Sequence, residues 1–284
     1  MKRRDFIQTS SAAALGTLVF PEFLSAFKKI GQIGVQLYSV RDAMSKDVIG
    51  TLTKVAQIGY NHVELAGYVG GKVYGKSPAE FKKILDDLGL KTFSSHLGLD
   101  ILRGDWERAV ADAKLLGQKY VVCPYLMENE RKNIDQYKKL CELLNKCGET
   151  AQKAGLQLAY HNHDFEFITL DGQIPFDLML KECDANLVKI EMDLYWTKKA
   201  GKDPLAYFKN NPGRIELWHV KDMDNTPQQF FTEVGNGTID WKPIFKASKK
   251  SGMKYFFVEQ DICKNHLPLE SIEISYKYLK NLRY

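Results

Sequence analysis

Two histidines stand one residue apart at the end of an apolar stretch, LQLAYHNHDFEF, which covers residues 156–167. Imidazole side chains bind divalent cations and transfer protons near neutral pH, so His161 and His163 are candidates for either chemistry. A metal ion or an acid–base reaction needs further side chains from other parts of the chain. The other short apolar stretches therefore decide whether this histidine pair belongs to a site.

Histidine, glutamate, aspartate and lysine recur at the ends of five other apolar stretches. Within each stretch the apolar residues alternate with the polar ones, which is typical of a strand with one face packed on helices. The polar residues then share the opposite face, and those nearest the end of each stretch are the candidates. They are Glu64, His96, His161, His163, Asp193, His219, Lys221 and Glu259.

This set of residues favours a metal centre. Buried carboxylates and imidazoles in one place repel each other or lose hydration unless a cation compensates them. Imidazole and carboxylate ligands without thiolates suit Mn, Co, Zn, Fe or Mg, and the first four are favoured once histidines participate. The five cysteines are odd in number and show no CxxC spacing, so we expect free thiols that serve packing. The sequence thus predicts one divalent ion.

The elements that must position these residues repeat along the chain from residue 30 to 284. Short β-rich stretches alternate with amphipathic helical segments, which end in glycines such as Gly59 or begin with caps such as Ser77. No GxGxxG or Walker-type loop occurs, which argues against a doubly wound sheet. Eight β-rich stretches and a final helix near 267–282 predict a single-domain α/β fold, a (β/α)8 TIM barrel. The predicted strands are IGVQLYSV, HVELAG, KTFSSHLG, YVVCPYL, LQLAYHNH, LVKIEMDLYW, IELWHVKD and YFFVEQD.

In such a barrel the active-site side chains project from the carboxyl ends of the strands. The alternation of apolar and polar residues predicts that Ile215 and Leu217 lie inside the barrel below His219. Glu191 also falls on the inner face, two residues after Lys189. Glu191 either supports the residues of the site from behind or is a structural partner of that lysine, and we favour the second interpretation.

The first 29 residues are predicted to be an export signal. Basic residues in MKRRDFIQTS precede the short apolar stretch SAAALGTLVF, and the run RRDFI at residues 3–7 resembles a twin-arginine signal. The apolar stretch is too short for a membrane span, so we expect a periplasmic or otherwise exported protein without stable membrane insertion. Five basic and two acidic residues in this segment account for +3 of the net charge of +5. The remaining charge is too small to predict nucleic-acid binding.

Several of these motifs resemble the xylose isomerase-like sugar isomerase/epimerase superfamily, over essentially the whole chain after the signal. The HxKD and GxGxIDW elements carry most of the specificity. The histidine-rich fifth strand resembles that of the inosose dehydratase branch of this superfamily. The keto-sugar epimerase branch is the alternative. The motifs are VEL at 63–65, HNH at 161–163, EMD at 191–193, HVKD at 219–222, GNGTIDW at 235–241 and Glu259.

The resemblance implies a divalent ion held by four residues at the strand ends. Family members use Glu, Asp, His and Glu from strands five to eight, and the last three match Asp193, His219 and Glu259. His161 stands in the place of the first glutamate. Either His161 is the fourth ligand as a neutral imidazole, or strand five supplies that ligand differently.

The resemblance also implies an isomerase or epimerase that acts on a keto-sugar or keto-glycoside through an enediolate. The ion would polarise the carbonyl, Glu259 would remove the neighbouring proton, and Lys221 would stabilise the enediolate. The second proton carrier would be His161, His163, His96 or Glu64.

The small-molecule sugar would meet aromatic side chains at the mouth of the barrel. Tyr38, Trp196 and Trp241 are candidates for stacking on a sugar ring, although packing at the rim or in the core explains each equally well. Asp222 is a further candidate for substrate binding. A rim ion pair between Lys221 and Asp222 is the alternative for these two residues.

Three other functions stay open. The same site would serve a dehydratase or lyase on a cyclic keto-polyol or a 3-keto-glycoside, if the enediolate expels a β-substituent. An endonuclease resembling the three-zinc apurinic-site enzymes would need more ligands and a basic surface. A degenerate barrel would bind sugar without catalysis and without metal. The metal content separates these readings, and the oligomeric state is left open.

Overall fold

The structure, a computed structural model, describes residues 28–284. The predicted export signal therefore lies outside the described residues, apart from its last two positions. Within 28–284, the structure contains no helix with the length and apolar character that a membrane span requires.

Eight parallel strands form the main sheet, and they confirm the predicted barrel. The strands are β1 (Gly34–Gln36), β2 (His62–Leu65), β3 (Lys91–Ser95), β4 (Tyr120–Cys123), β5 (Gln157–His161), β6 (Val188–Asp193), β7 (Ile215–Val220) and β8 (Tyr255–Val258). Neighbouring strands pair in the order β3-β2-β1-β8-β7-β6-β5-β4. The ring closes between β3 and β4, where the Leu97 N–H donates to the Val122 carbonyl oxygen at 2.8 Å. Consecutive pairing around a closed ring is the arrangement of a (β/α)8 barrel.

Within the described residues, twelve α-helices surround the sheet or lie in the loops above it. The predicted cap of the third helix is present, because the Ser77 side chain accepts the Glu80 N–H while the Glu80 carboxylate accepts the Ser77 N–H. The last helix confirms the one predicted near 267–282. The helices are α1 (Arg41–Lys46), α2 (Val48–Ile58), α3 (Pro78–Asp87), α4 (Leu99–Arg103), α5 (Trp106–Leu115), α6 (Ile134–Lys153), α7 (Pro175–Glu182), α8 (Leu194–Lys199), α9 (Pro204–Asn210), α10 (Trp241–Lys246), α11 (Ser248–Ser251) and α12 (Pro268–Asn281).

The strands are shorter than predicted because apolar sequence continues beyond them into the loops of the carboxyl face. Residues Leu37–Val40, predicted as strand, form a 3₁₀ turn. The end of the sixth predicted strand belongs to α8, whose first turn is capped when the Asp193 carboxylate accepts the Trp196 N–H at 2.9 Å. Apolar content alone does not distinguish a buried strand from a short buried helix, so the predicted boundaries extended too far.

The barrel interior confirms the predicted alternation at several strands. A small apolar cluster inside the sheet contains Tyr120, Val122, Ala159, Leu217 and Phe257. The larger apolar cluster lies between the sheet and the helices. The inner cluster fills the lower part of the barrel, so the polar residues that follow it in each strand lie above it at the carboxyl face.

The prediction that Ile215 faces inward was wrong. Ile215 belongs to the apolar cluster between the sheet and the helices. The register between β6 and β7 shifts directly after Ile215, so Glu216 is the extra residue of a bulge. Glu216 takes the inward place and accepts a hydrogen bond from the Tyr120 hydroxyl at 2.7 Å.

His62, in β2, is buried and uncharged at neutral pH. Its Nδ1 hydrogen-bonds the Asn61 side-chain oxygen at 2.7 Å, and its ring packs against Phe93 and Phe257. Burial lowers the pKa of His62 to about 4. We therefore expect the contribution of His62 to the free energy of unfolding to be fully present above pH 6.5. It should fall as the pH drops toward 4, because only the unfolded chain binds the proton between these pH values.

Urea unfolding at pH 7 and pH 5 measures this contribution. From pH 7 to pH 5, the free energy of unfolding of His62→Leu should fall by about 2 kcal/mol less than that of the wild type, because the variant lacks the proton linkage of this histidine. The exposed His266 provides the matched control, since His266→Leu makes the same exchange of side chains and leaves His62 and its packing in place. Identical losses in the wild type and His62→Leu would contradict the assignment.

Candidate active site and metal centre

The four predicted metal ligands meet at the carboxyl ends of the last four strands. His161 ends β5, Asp193 ends β6, His219 lies in β7 and Glu259 directly follows β8. Asp193 pairs with His219 across the sheet, and one ligand atom from each of the four residues lies within 4.8 Å of the others. All four side chains are buried. We call these four residues the outer group.

A second set of possible metal ligands lies deeper in the barrel and shares two histidines with the outer group. Glu191 Oε2 lies 2.8 Å from His96 Nε2, 3.1 Å from His161 Nδ1 and 3.2 Å from His219 Nε2. We call His96, His161, Glu191 and His219 the deep group. Its ligand atoms also lie within 4.8 Å of one another, so it meets the same geometric condition as the outer group.

The interpretation of Glu191 as a partner of Lys189 was wrong. Lys189 Nζ lies 3.5 Å from Glu216, the bulge residue, whereas the three imidazoles surround Glu191. The bulge was not visible in the sequence, so the lysine's true partner could not be anticipated. The inner-face position that Glu191 shares with Asp193 was the available signal for a place in the site.

Glu64 lies behind the deep group and is fully buried. Its carboxylate accepts hydrogen bonds from Gln36 Nε2 at 2.8 Å and from the Ser94 hydroxyl, and it also pairs with His219 Nε2. Glu64 is absent from the walls of the cavity described below. This placement suits a residue that orients His219 and His96, rather than one that exchanges a proton with a substrate.

Lys221 is a buried cation between three carboxylates. Its Nζ lies 2.9 Å from Asp193 Oδ2, 2.6 Å from Glu259 Oε2 and 2.7 Å from Asp261 Oδ2. Burial disfavours the ammonium, but these carboxylates outweigh burial and raise the pKa of Lys221 well above its ordinary value. The alternative of a rim ion pair with Asp222 is therefore excluded. Asp261 was missed, although it continues the alternation two residues after Glu259.

The imidazoles of the site differ in charge. Burial, reinforced by neighbouring positive groups, lowers the pKa of His161 well below its ordinary value and that of His163 to about 3. Burial also disfavours protonated His96, but the Glu64 and Glu191 carboxylates outweigh it and raise the pKa of His96 to about 9. His161 and His163 are therefore neutral at pH 7, the form in which an imidazole binds a metal or accepts a proton.

A cavity of about 570 Å³ opens above these residues at the mouth of the barrel. Tyr68, Val69, Ile101 and Tyr125 contribute largely apolar walls. Such a volume suits a ligand the size of one or two sugar rings. Six of the predicted site residues line it, namely Tyr38, His96, His161, His163, Lys221 and Glu259.

The predicted aromatic residues take different places. Tyr38 lies at the mouth of the cavity with 42% of its surface exposed, and the Arg41 guanidinium lies 4.2 Å from its ring centroid. Trp196 packs beside His163, with 5.6 Å between the ring centroids, and does not line the cavity. Tyr38 is thus the predicted aromatic residue that a substrate can reach directly, whereas Trp196 supports the histidine.

Asp222 and Trp241 lie away from the cavity, where they anchor the loop that carries the GNGTIDW motif. The Asp222 carboxylate accepts the backbone N–H groups of Met223, Gly235 and Ile239 and the Trp241 Nε1–H, at 2.8 to 3.1 Å. Both side chains are buried. Asp222 and Trp241 therefore hold the loop in place and do not contact the cavity, although the sequence had led us to expect substrate-binding residues.

Gly237 in the same loop shows why the motif needs a small residue. A Cβ atom at this position would overlap the Asp222 carboxylate and the Met223 carbonyl oxygen. The loop backbone therefore packs directly on Asp222. The requirement for glycine follows from this close approach.

Removing the anchor should unfold the protein more easily. Asp222→Ala leaves four donors without an acceptor, three of them on buried residues, and we expect the free energy of unfolding to fall by about 3–5 kcal/mol. Denaturant titration measures the change. Asp224→Ala, two residues further along the chain, is the control and should cost about 1 kcal/mol or less. Equal effects of the two substitutions would contradict the anchoring role.

The loop after β5 is held by a buried carboxylate that the sequence analysis did not single out. Glu166 accepts the Tyr160 hydroxyl at 2.6 Å and the His163 N–H at 2.8 Å. Burial raises the pKa of Glu166 to about 7. His163 also stacks on Phe165, with 5.3 Å between the ring centroids. The tail of the HNHDFEF stretch thus fixes the position of His163 in the cavity wall.

The residues present fit a divalent cation. Two buried carboxylate oxygens, Glu191 Oε1 and Asp193 Oδ2, have no hydrogen-bond partner, although Lys221 lies close to the second as an ion pair. Imidazole nitrogens and carboxylate oxygens without a thiolate form a donor set that suits Mn, Fe, Co or Zn. The described residues therefore contain a group that could hold one such ion.

The closed ring of eight parallel strands, with its polar residues at the carboxyl face, places the protein in the class of TIM-barrel proteins. The sequence profile of the Xylose isomerase-like TIM barrel family matches residues 52–282. The chain therefore belongs to this family, as the sequence motifs indicated.

Relatives and solved structures agree with this assignment. The chain is 26% identical over 261 residues to the inosose dehydratase of Lacticaseibacillus casei, covering 77% of this chain and 87% of the relative. A sugar phosphate isomerase/epimerase from Parabacteroides distasonis superposes with a TM-score of 0.79 at 29% identity, covering 88% of this chain and 98% of that one. The IolI protein with a bound zinc atom shares the fold, with a TM-score of 0.70 at 16% identity and coverage of 87% and 96%.

Proposed function

We propose that this protein is a divalent-metal-dependent dehydratase or lyase that acts on a cyclic keto-polyol, a keto-sugar or a keto-glycoside. In the reaction, a C–H bond next to the ketone breaks, and its electron pair forms an enediolate. The electrons then form a C=C bond as the β C–O bond breaks, and the leaving oxygen takes up a proton. The products are an unsaturated ketone and water or an alcohol.

One observation favours elimination over the isomerisation or epimerisation expected from the sequence. Of the carboxylates in the outer and deep groups, Glu259 alone lines the cavity. The family-type epimerase that the motifs suggested uses a second carboxylate from strand five, where this chain has His161. Elimination needs one base and one proton donor, and the Glu259 carboxylate and the Lys221 ammonium lie 2.6 Å apart on the same wall.

The roles of the chain's residues follow from their positions. A bound ion would be held by the two shared imidazoles and by carboxylates of one group, and it would supply Lewis-acid polarisation of the ketone. Glu259 is the base, because burial opposes its ionisation but Lys221 and His219 outweigh burial and lower the pKa of Glu259. Lys221 stabilises the negative charge of the enediolate and protonates the leaving oxygen. Tyr38 and Tyr125 offer rings on which a sugar can stack.

The relative from Lacticaseibacillus casei supports this reaction class, because it is an inosose dehydratase and dehydration is an elimination. The second candidate function is a sugar isomerase or epimerase. It is favoured by the Parabacteroides structure and by two imidazoles, His96 and His163, that line the cavity beside Glu259 and offer a second proton carrier. A non-catalytic sugar-binding barrel has no comparable support, since Asp193, His219 and Glu259 are retained together.

Product analysis by NMR in D2O separates these candidates. Protein loaded with Mn, Co or Zn is incubated with an inosose, a free keto-sugar and a 3-keto-glycoside, with Glu259→Gln as the control. New vinylic signals together with a released leaving group support the lyase. Deuterium at one carbon of an intact epimer or isomer supports the second candidate. Metal-loaded protein that labels and converts none of these compounds would overturn both.

We also propose that the protein is exported, on the strength of the basic residues before the first apolar stretch. Arg3→Lys with Arg4→Lys keeps the charge but removes the arginine pair, and we expect the protein to remain in the cytoplasmic fraction of the expressing cell. Cell fractionation with a Lys28→Arg control measures this. Equal export of the double variant would contradict the twin-arginine assignment.

A further inference from the structure

The cavity above the candidate site has two chemically different halves. The half over the carboxyl ends of β5 to β8 contains reactive side chains, namely His161, His163, Lys221, Glu259 and Asp261. The half over β2 to β4 is built by the loops that follow these strands, and its walls are Ala66, Tyr68, Val69, Gly98, Asp100, Ile101, Pro124 and Tyr125. Apart from His96 of the deep group, Asp100 is the one charged side chain that the described part of the chain places on these walls. We call this second half the apolar half.

Val69 is an exposed apolar residue that a rigid turn holds at the rim of the apolar half. Residues Tyr68–Val69 pair antiparallel with Lys72–Val73, and Val69 keeps 76% of its surface exposed. Gly70 and Gly71 between them have φ values of 58° and 77°, as a tight two-residue hairpin turn requires. A ligand that covers Val69 would gain apolar contact without the cost of ordering a loop.

Tyr68 and Tyr125 also present rings whose polar atoms are engaged or whose orientation is fixed. The Tyr68 hydroxyl donates to Asp112 Oδ2 in α5 at 2.6 Å, outside the cavity walls. The Tyr125 ring packs edge-to-face on His163 and Phe165, with 4.9 and 5.5 Å between the ring centroids, and it stays 40% exposed. Because His163 belongs to the reactive half, Tyr125 marks the boundary at which the two halves meet.

The cavity is larger than a single six-membered ring needs. Its volume of about 570 Å³ lies within the range of about 300–1,000 Å³ for sites that bury drug-sized ligands. A free cyclic keto-polyol carries polar groups around its whole ring, so in the apolar half its hydroxyl groups would lose hydration without gaining partners. A ligand with a polar ring at one end and an apolar ring at the other matches both halves.

We propose that the apolar half is a binding subsite for an apolar, ring-shaped aglycone, and that the substrate is a 3-keto-glycoside of such an aglycone. This inference rests on the proposed elimination and names its leaving group. Glu259 takes the proton from C2, next to the ketone at C3, and the C1=C2 bond forms as the C1–O bond breaks. Lys221 gives a proton to the aglycone oxygen and then recovers the proton held by Glu259. The products are an unsaturated keto-sugar and a free alcohol or phenol.

Two glycosides whose leaving groups have nearly equal basicity test the subsite. Benzyl and methyl 3-keto-β-D-glucopyranoside differ in the size and apolar character of the aglycone, so a difference in kcat/KM reports binding of the aglycone. The metal-loaded protein should convert the benzyl compound with a kcat/KM about tenfold or more above that of the methyl compound. Equal values for the two compounds would overturn the subsite.

Val69→Ser tests the residue with the largest exposed apolar surface in this half. It should lower the benzyl-to-methyl ratio of kcat/KM by about three- to tenfold, because it removes apolar contact with the aglycone. Ile49→Ser is the matched control, since Ile49 is an exposed β-branched residue of α2 outside the cavity walls, and this variant should keep the wild-type ratio. The wild-type ratio in Val69→Ser, with circular dichroism showing a folded protein, would contradict the proposal.

Binding of unoxidised glucosides distinguishes failure of the subsite from failure of the proposed function. Benzyl β-D-glucopyranoside has no ketone and cannot eliminate. Its dissociation constant from ligand-observed NMR should be about tenfold or more below those of methyl β-D-glucopyranoside and cellobiose. Equal constants, or tighter binding of cellobiose with its polar second ring, would overturn the subsite, while conversion of an inosose would leave the proposed function standing. Preferred binding of the benzyl glucoside without conversion of any keto compound would support the subsite and overturn the elimination.

Discussion

Glu259→Gln is expected to lower the rate of proton removal from the substrate by about 10²–10⁴-fold, which is the range for loss of a positioned general base. The amide keeps the size of the carboxylate but cannot accept the proton. Glu259 is the carboxylate of the outer and deep groups that reaches the cavity, and Lys221 and His219 hold it ionised. Exchange of the substrate's C–H into D2O, followed by NMR, measures this step directly.

Asp100→Asn is the matched control for that experiment. Asp100 lines the same cavity but lies at the start of α4, away from the carboxyl ends of β5 to β8. We expect this variant to retain exchange within about tenfold of the wild type, because it changes a wall and not the base. Equal rates for Glu259→Gln and the wild type, or equal losses in both variants, would remove Glu259 from its assigned role.

Lys221→Met should have the largest effect on stability. The substitution leaves Asp193, Glu259 and Asp261 without the cation that lies within 2.9 Å of each. Breaking a buried ion pair by removing one partner costs about 3–5 kcal/mol, and here three partners lose compensation. The free energy of unfolding from urea titration should fall by at least that amount, and turnover should be lost with it.

The exposed Lys198, which lies in α8, provides the comparison. Lys198→Met removes one positive charge from the surface and should change stability by about 0.5 kcal/mol or less. Lys221→Arg keeps the charge and should retain more stability than Lys221→Met. A Lys221→Met protein as stable as the wild type would show that the three carboxylates do not depend on this ammonium.

The placement of the outer group could be predicted because two simple regularities coincide in this chain. Alternation along a strand assigns each side chain to a face, and the carboxyl ends of parallel strands meet at one face of a barrel. His161, Asp193, His219 and Glu259 satisfy both conditions, and the structure brings them within 4.8 Å. Resemblance to a known family added the expected ligand pattern.

The remaining features depend on contacts that alternation does not encode. A one-residue bulge at Glu216 moved Ile215 to the outer core and gave Lys189 a different partner, which left Glu191 for the site. Asp222 is polar and close to the strand end, yet it turns toward the backbone N–H groups of a loop. Such pairings are set by loop geometry, so they become visible only when the fold is known.

Metal dependence of the C–H exchange is the most direct test of the account. Chelator-treated protein is titrated with Mn²⁺, Co²⁺ or Zn²⁺, and deuterium incorporation into a cyclic keto-polyol or 3-keto-glycoside is followed by NMR. The account predicts negligible exchange without metal and a rise that reaches its plateau at one equivalent of ion, with elimination product formed in step. Full exchange and turnover in protein shown to be free of metal would contradict it.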